Sequence, residues 1–141
     1  MPRADFYLIA KPRFRDDPLL LVCELARKAH DAGSPTLILA RDTDQAEALD
    51  DALWAFDADA YIPHQIAGMD EDEDEAPVLI ASPKNDAPGR SLIINLRDEA
   101  VTLPCDRVLE VVPSDDSARE PLRLRWREYK ARGFELNTHD M

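Results

Sequence analysis

Thr36-Leu37-Ile38-Leu39-Ala40 is an unbroken apolar run, bounded by Ser34-Pro35 on one side and Arg41-Asp42 on the other. A strand with one wet face alternates apolar and polar residues. A run that is apolar at every position predicts a strand covered on both faces, as in a parallel sheet sandwiched between helices. The chain upstream agrees. Asp5 to Ala10 is a short run rich in aromatic and branched residues, which predicts a first buried strand. Pro18 stands where a first helical turn tolerates proline, and Leu21, Leu25, Ala29 and Ala32 share one face until Gly33, a C-terminal stop. A helix over about residues 17 to 32 between two buried strands makes a βαβ unit.

Beyond it, Asp42-Thr43-Asp44 offers N-caps for a second helix, Gln45 to Phe56, with Ala46, Leu49, Leu53 and Phe56 at helical spacing. Ala58 to Gly68 reads as irregular or short extended structure. Asp70 to Glu75 is a run of six acids that repels itself and stays solvated. Pro77 to Ala81, Ser91 to Leu96 and Arg107 to Val112 are three further strand candidates separated by turn residues. A last helix runs from about Ser117 to Arg132, stopped by Gly133. This alternation predicts an α/β fold: a single three-layer domain over residues 1–141 with a mostly parallel sheet, Rossmann-like in outline.

Composition narrows the function. Among 141 residues, 29 Asp or Glu face 17 Lys or Arg, for a net charge of −12. Such a surface repels phosphates, which argues against broad, direct binding of nucleic acid. No apolar run approaches the roughly 20 residues of a membrane span, and no hydrophobic leader precedes Phe6, so a cytoplasmic location is expected. Cys23 and Cys105 form no CxxC pattern and read as core.

The chemistry of a catalyst is hard to find. The four glycines, at 33, 68, 89 and 133, assemble neither GxGxxG nor a phosphate loop, so the fold carries no nucleotide-binding motif. His30, His64 and His139 lie far apart without metal-ligand spacing, and no GxSxG places a serine nucleophile. The residues therefore predict no catalytic site, no metal and no cofactor. A nucleotide- or phosphate-using enzyme on this fold is the rival reading, and it rests on the βαβ pattern alone.

The C-terminal helix departs from the rest of the chain. Between Arg119 and Arg132 six basic residues face Glu120 and Glu128, a local charge of +4 in an acidic protein. At about 100° per residue, Arg119, Arg123, Arg127 and Lys130 share one face, beside a stripe of Ala118, Leu122, Trp126 and Tyr129. An apolar wall beside guanidinium groups suits an acidic peptide with an aromatic or aliphatic anchor. Pro121 either sits in the first turn or kinks the entry. Basic residues near a helix C-terminus also offset its dipole, and aromatics at helical spacing are ordinary core. The segment alone leaves both roles open.

With these residues in view, the chain resembles the chi subunit family of bacterial DNA polymerase III. The matching stretches are Phe6-Tyr7-Leu8, Val22-Cys23-Glu24-Leu25-Ala26, Leu49-Asp50-Asp51-Ala52-Leu53-Trp54, Ile62-Pro63-His64 with Ala67-Gly68, and Gly133-Phe134-Glu135-Leu136-Asn137-Thr138. They fall in order along nearly the whole chain. The resemblance implies a non-catalytic accessory subunit of the clamp-loader assembly in DNA replication, with an α/β fold that binds no nucleotide. It implies two partners, the psi subunit, which leads to the clamp loader, and the acidic, phenylalanine-ended C-terminal tail of single-stranded DNA-binding protein. Carried over residue by residue, the tail surface falls on Val112, Arg119, Arg123, Trp126 and Arg127, and the psi surface on Trp54 and Tyr61. Trp126 and Arg127 stand where relatives often carry tyrosine and lysine, which keeps an aromatic wall and adds bidentate carboxylate geometry. The run Asp70 to Glu75 stands where relatives have a short Gly-rich or polar loop and inherits no role; its self-repulsion suits a solvated turn or a guard against nucleic acid.

Overall fold

A computed structural model describes residues 2–56, 62–68, 76–85 and 87–141. In chain order the elements are β1 (Arg3–Leu8), α1 (Pro12–Asp16), α2 (Pro18–Asp31), β2 (Thr36–Leu39), α3 (Thr43–Phe56), β3 (His64–Ile66), β4 (Val78–Ala81), β5 (Leu92–Asn95), β6 (Arg107–Val112), α4 (Arg119–Ala131) and β7 (Glu135–Asp140). The strands form one sheet in the order β3-β4-β2-β5-β6-β1-β7, and every named pair is parallel. All four residues of β2 are buried, because the sheet separates two apolar layers. On one face Leu21, Val22, Leu25 and Ala26 of α2 and Ala46, Leu49 and Leu53 of α3 pack on Ile38, Ile80, Ile94 and Leu109. On the other, Tyr129 of α4, with Leu122 and Trp126, packs on Phe6, Leu39, Ile93 and Val108. This is the three-layer α/β arrangement read from the sequence.

The helix ends follow local chemistry. The Gln45 amide donates to the Asp42 side chain at 2.7 Å while the Gln45 side chain accepts from the Arg41 amide at 2.7 Å, a reciprocal cap that starts α3. Gly33 and Gly133 adopt φ of 73° and 84°, and the following amides of Ser34 and Phe134 reach back to Ala29 O and Tyr129 O. Both helices thus close on the left-handed glycine turn that the sequence suggested. Pro121 lies in the first turn of α4, where its missing N–H costs nothing, after a 3-10 turn at Asp116–Ala118 capped by Asp115.

Three features depart from expectation. Helix α1 is a single turn anchored by the buried Phe14, too short to leave a periodic signature. Strand β7 reads Glu-Leu-Asn-Thr-His-Asp, polar enough to hide, and exists because it pairs with β1 along its whole length. Cys105 is half-buried rather than core, whereas Cys23 is buried in α2 and its thiol pKa is pushed up to about 11 by burial. His64–Ile66 supplies the short extended piece expected within 58–68. Asp70 to Glu75 lie outside the described residues.

Near the β7 edge, the fully buried Asp5 receives Arg3 Nε at 2.9 Å, Arg107 Nε at 2.6 Å and His139 Nε2 at 3.1 Å. Burial alone would raise its pKa, but the hydrogen bonds from Arg3, His139 and Arg107 outweigh it and hold the carboxyl below its ordinary range. The cluster ties three strands together at the open edge.

Candidate functional site

Helix α4 is fixed from beneath by a buried polar group. Glu110, at the centre of β6, is fully buried, and Arg125 Nε lies 3.0 Å from its Oε1. Tyr129 Oη donates to Glu110 Oε2 at 2.5 Å and Asn95 Nδ2 donates to the same oxygen at 2.9 Å. Arg125 Nη1 also donates to Asp98 O at 3.2 Å, and the Val101 amide donates to Tyr129 Oη at 2.8 Å. Burial pushes the Glu110 carboxyl above its ordinary range, against the pull of Arg125, Asn95 and Tyr129. Burial and the Glu110 charge push the Tyr129 hydroxyl far upward, so it stays a donor. These bonds set the rotation of α4 about its axis, and with it the residues α4 presents outward.

Not all six basic residues of this segment are free surface cations. Arg125 is 5 % exposed and belongs to the core. Arg132 pairs with Glu128 and donates to Val101 O. Arg119 lies 3.4 Å from Asp116 in an exposed pair. Among the described residues, no carboxylate comes within ion-pair distance of Arg123, Arg127 or Lys130.

Two of those cations border an apolar niche of about 220 Å³ lined by Leu8, Leu122, Arg123, Trp126, Arg127 and Thr138. Trp126 is half-buried and rests on Phe6, ring centroids 5.2 Å apart and tilted by 53°. Phe6 is held in turn by Tyr129 at 6.0 Å. The indole therefore has a fixed pose, with one edge in the core and the other on the niche. Chemically, the niche can take one apolar side chain while Arg123 and Arg127, one helical turn apart, receive carboxylates at its mouth.

Of the residues expected at this surface, Arg123, Trp126 and Arg127 are brought together at the niche. Arg119 is exposed one turn before Arg123 and does not line it. Val112 is 4 % exposed on β6; it pairs laterally with Leu8, which forms the wall in its place. Leu8 and Thr138 were missed. Leu8 reads as core within an apolar run, and Thr138 could be placed only by recognising β7 as a strand. In register with β1, β7 turns Leu136 and Thr138 to the face Leu8 shares with α4.

A second surface lies at the opposite edge of the sheet. Trp54, in the last turn of α3, is 58 % exposed, and its ring meets that of the buried His64 edge-on at 5.0 Å. His64 Nδ1 lies 2.7 Å from Ile62 O and Nε2 lies 3.1 Å from Asp50 Oδ1, so the imidazole is fixed between α3 and β3. Tyr61 lies outside the described residues. From β3 to β1 the sheet spans five strand spacings, roughly 25 Å. The two surfaces also lie on opposite faces.

A wider concavity, about 530 Å³, opens beyond the carboxyl ends of β2, β5 and β6, where open α/β sheets commonly hold ligands. Arg41, Arg97 and Arg125 are balanced there by Asp98, Asp115 and the buried Glu110, and no glycine lines it. Among the described residues, no group of three or more His, Cys, Asp or Glu is placed to hold a metal ion, and no helix is long and apolar enough to cross a membrane.

Residues 1–137 match the sequence profile of a family described as DNA polymerase III chi subunit, HolC. The chain is 36 % identical over 144 residues to the DNA polymerase III subunit chi of Escherichia coli strain K12, covering 98 % of this chain and 97 % of that protein. It is 36 % identical over 143 residues to the subunit of that name in Pseudomonas aeruginosa, covering 99 % and 96 %. Among solved structures, the C-terminal domain of the DEAD-box protein Dbp5 superposes with a TM-score of 0.69 at 11 % identity, over 99 % of this chain and 90 % of that one. The last likeness concerns the fold alone.

Proposed function

The chain belongs to the DNA polymerase III chi subunit family, and from that premise we propose that it is a non-catalytic adaptor in DNA replication. One surface holds the acidic C-terminal tail of single-stranded DNA-binding protein, and the other holds the psi subunit and, through it, the clamp loader.

The observation that carries this reading is the niche on α4. It combines an apolar floor with two guanidinium groups at the rim that meet no carboxylate among the described residues, in a protein of net charge −12. A terminal phenylalanine entering the niche contributes roughly 1.5–3 kcal/mol of apolar burial. Arg119, Arg123 and Arg127 meet the acids before it, and Val112 supports the Leu8 wall from the neighbouring strand. Exposed charge contacts add little each and are screened by salt, so the affinity is modest, on the order of micromolar. Trp54 is the anchor of the psi surface, together with Tyr61. The separation of the two surfaces lets both partners bind one subunit at once.

Calorimetric titration with a tail peptide tests the reading. Binding to the intact chain is expected, with a loss of at least tenfold when the peptide lacks its last phenylalanine. Equal affinity for both peptides would overturn it.

A further inference from the structure

The niche admits a single side chain, so an acidic tail seated there must run its preceding carboxylates across neighbouring surface. On α4, Arg123 and Arg127 stand at the niche, with Arg119 and Lys130 about one turn to either side. A second basic segment, Lys11-Pro12-Arg13-Phe14-Arg15, has no part in the site described above.

The topology brings it to the same end of the sheet. Strand β1 ends at Leu8 on the niche wall, and Lys11 follows three residues later. The amides of Ala10 and Lys11 both donate to Met141 O, at 2.5 and 2.8 Å, which ties the segment to the chain just beyond Thr138, another wall residue. Strand β6 ends at Val112, opposite Leu8, and the chain enters α4 from that end, with Arg119 and Arg123 in its first turns. Buried Phe14 pins α1 into the apolar layer under α2, on the sheet face opposite α4, so Lys11 and Arg15 are reached from the niche by crossing the carboxyl end of β1, where Arg15 lies beside Pro113 to Asp115. The Arg15 amide donates to Lys11 O at 3.0 Å, which keeps Lys11 and Arg15 one turn apart. Arg13 pairs with Glu24. Lys11 and Arg15 are exposed, and among the described residues neither has a carboxylate at ion-pair distance.

We propose that Lys11 and Arg15 extend the tail-binding surface, receiving the acids that precede the terminal aromatic as the peptide leaves the niche over the carboxyl end of β1. This rests on the tail reading above and adds two residues to it. Asp115, which lines the same concavity as Arg15, and the exposed Asp16 and Asp140 next along the chain moderate the potential of the path, so the expected effect is several-fold rather than an on/off change.

The test uses the full chain and two peptides of equal length ending in phenylalanine, one with its upstream acids intact and one with them replaced by Asn and Gln. The double variant Lys11→Glu/Arg15→Glu should weaken the acidic peptide about fivefold at low salt and leave the neutralised peptide within twofold. The difference should vanish near 0.5 M salt, where screening is short-ranged. Lys28→Glu, on exposed α2, serves as the control, and thermal melts confirm folding of each variant. An unchanged affinity for the acidic peptide, or an equal loss for both peptides, would overturn the assignment. If Arg127→Glu abolishes binding while the double variant does nothing, only this extension falls. If the intact chain binds neither peptide, the tail reading falls with it.

Discussion

Replacing Arg125 by alanine strikes the group that fixes α4 to the sheet. Glu110 is fully buried and Arg125 is 5 % exposed, so solvent does little to screen the pair. Removing one partner of such a pair leaves an uncompensated buried charge and costs about 3–5 kcal/mol. For a chain of 141 residues, 1 kcal/mol corresponds to about 3 °C in Tm, so the loss amounts to about 10–15 °C. The cost carries a pH signature. Without Arg125, burial holds the folded pKa of Glu110 above its unfolded value of about 4.3. The pH-dependent part of the added instability therefore develops between the folded pKa of the wild type, itself raised, and the higher one of the variant, and is complete above the latter. A paired change, Arg125→Met with Glu110→Gln, removes both charges while keeping an acceptor for Asn95 and Tyr129, and should recover all but about 1–2 kcal/mol. Urea unfolding of the three proteins between pH 4 and 7 measures this. A loss under 1 kcal/mol for Arg125→Ala, or a loss independent of pH, would refute the view that this pair anchors α4.

Asp5, whose pKa is lowered in the fold, adds stability that is present above its unfolded pKa of about 4 and is lost as pH falls toward the folded value. The stability gap between wild type and Asp5→Asn should be about 1–3 kcal/mol at pH 7 and close toward pH 2; a constant gap contradicts this. Gly133→Ala should cost about 1–2 kcal/mol in denaturant melts from backbone strain alone, since φ is 84° and a new Cβ meets nothing within 4 Å. Trp54→Ala should change stability by about 1 kcal/mol or less, because the ring is more than half exposed, and abolish capture of psi while leaving tail affinity within twofold. A parallel loss of tail affinity would show that the two surfaces are not independent.

How far the sequence could be read depended on where each residue's signal comes from. The all-apolar run at Thr36 to Ala40 announced a doubly covered strand because local composition and burial coincide there. The glycines closing α2 and α4 were legible for a similar reason, since positive φ is a local demand. Strand β7 was not, because its stability comes from pairing with β1 across the whole length of the chain. That one miss hid Thr138 and kept Leu8 in the core. Arg125 shows the converse limit. The charge count of the segment includes it and helical projection leaves it off the basic face, but only the opposing Glu110, 15 residues earlier on another element, makes it a buried residue. The basic face with Trp126 was visible as a pattern, while the niche it borders needed two strands that meet only in the fold.

The most direct test of the central claim is an amide chemical-shift map recorded while the acidic tail peptide is added to the intact protein. Shifts are expected at Leu8, at Leu122 to Arg127 and at Thr138, saturating together and absent around Trp54. Shifts centred on the crevice beyond β2, β5 and β6, or no shifts at all, would contradict it.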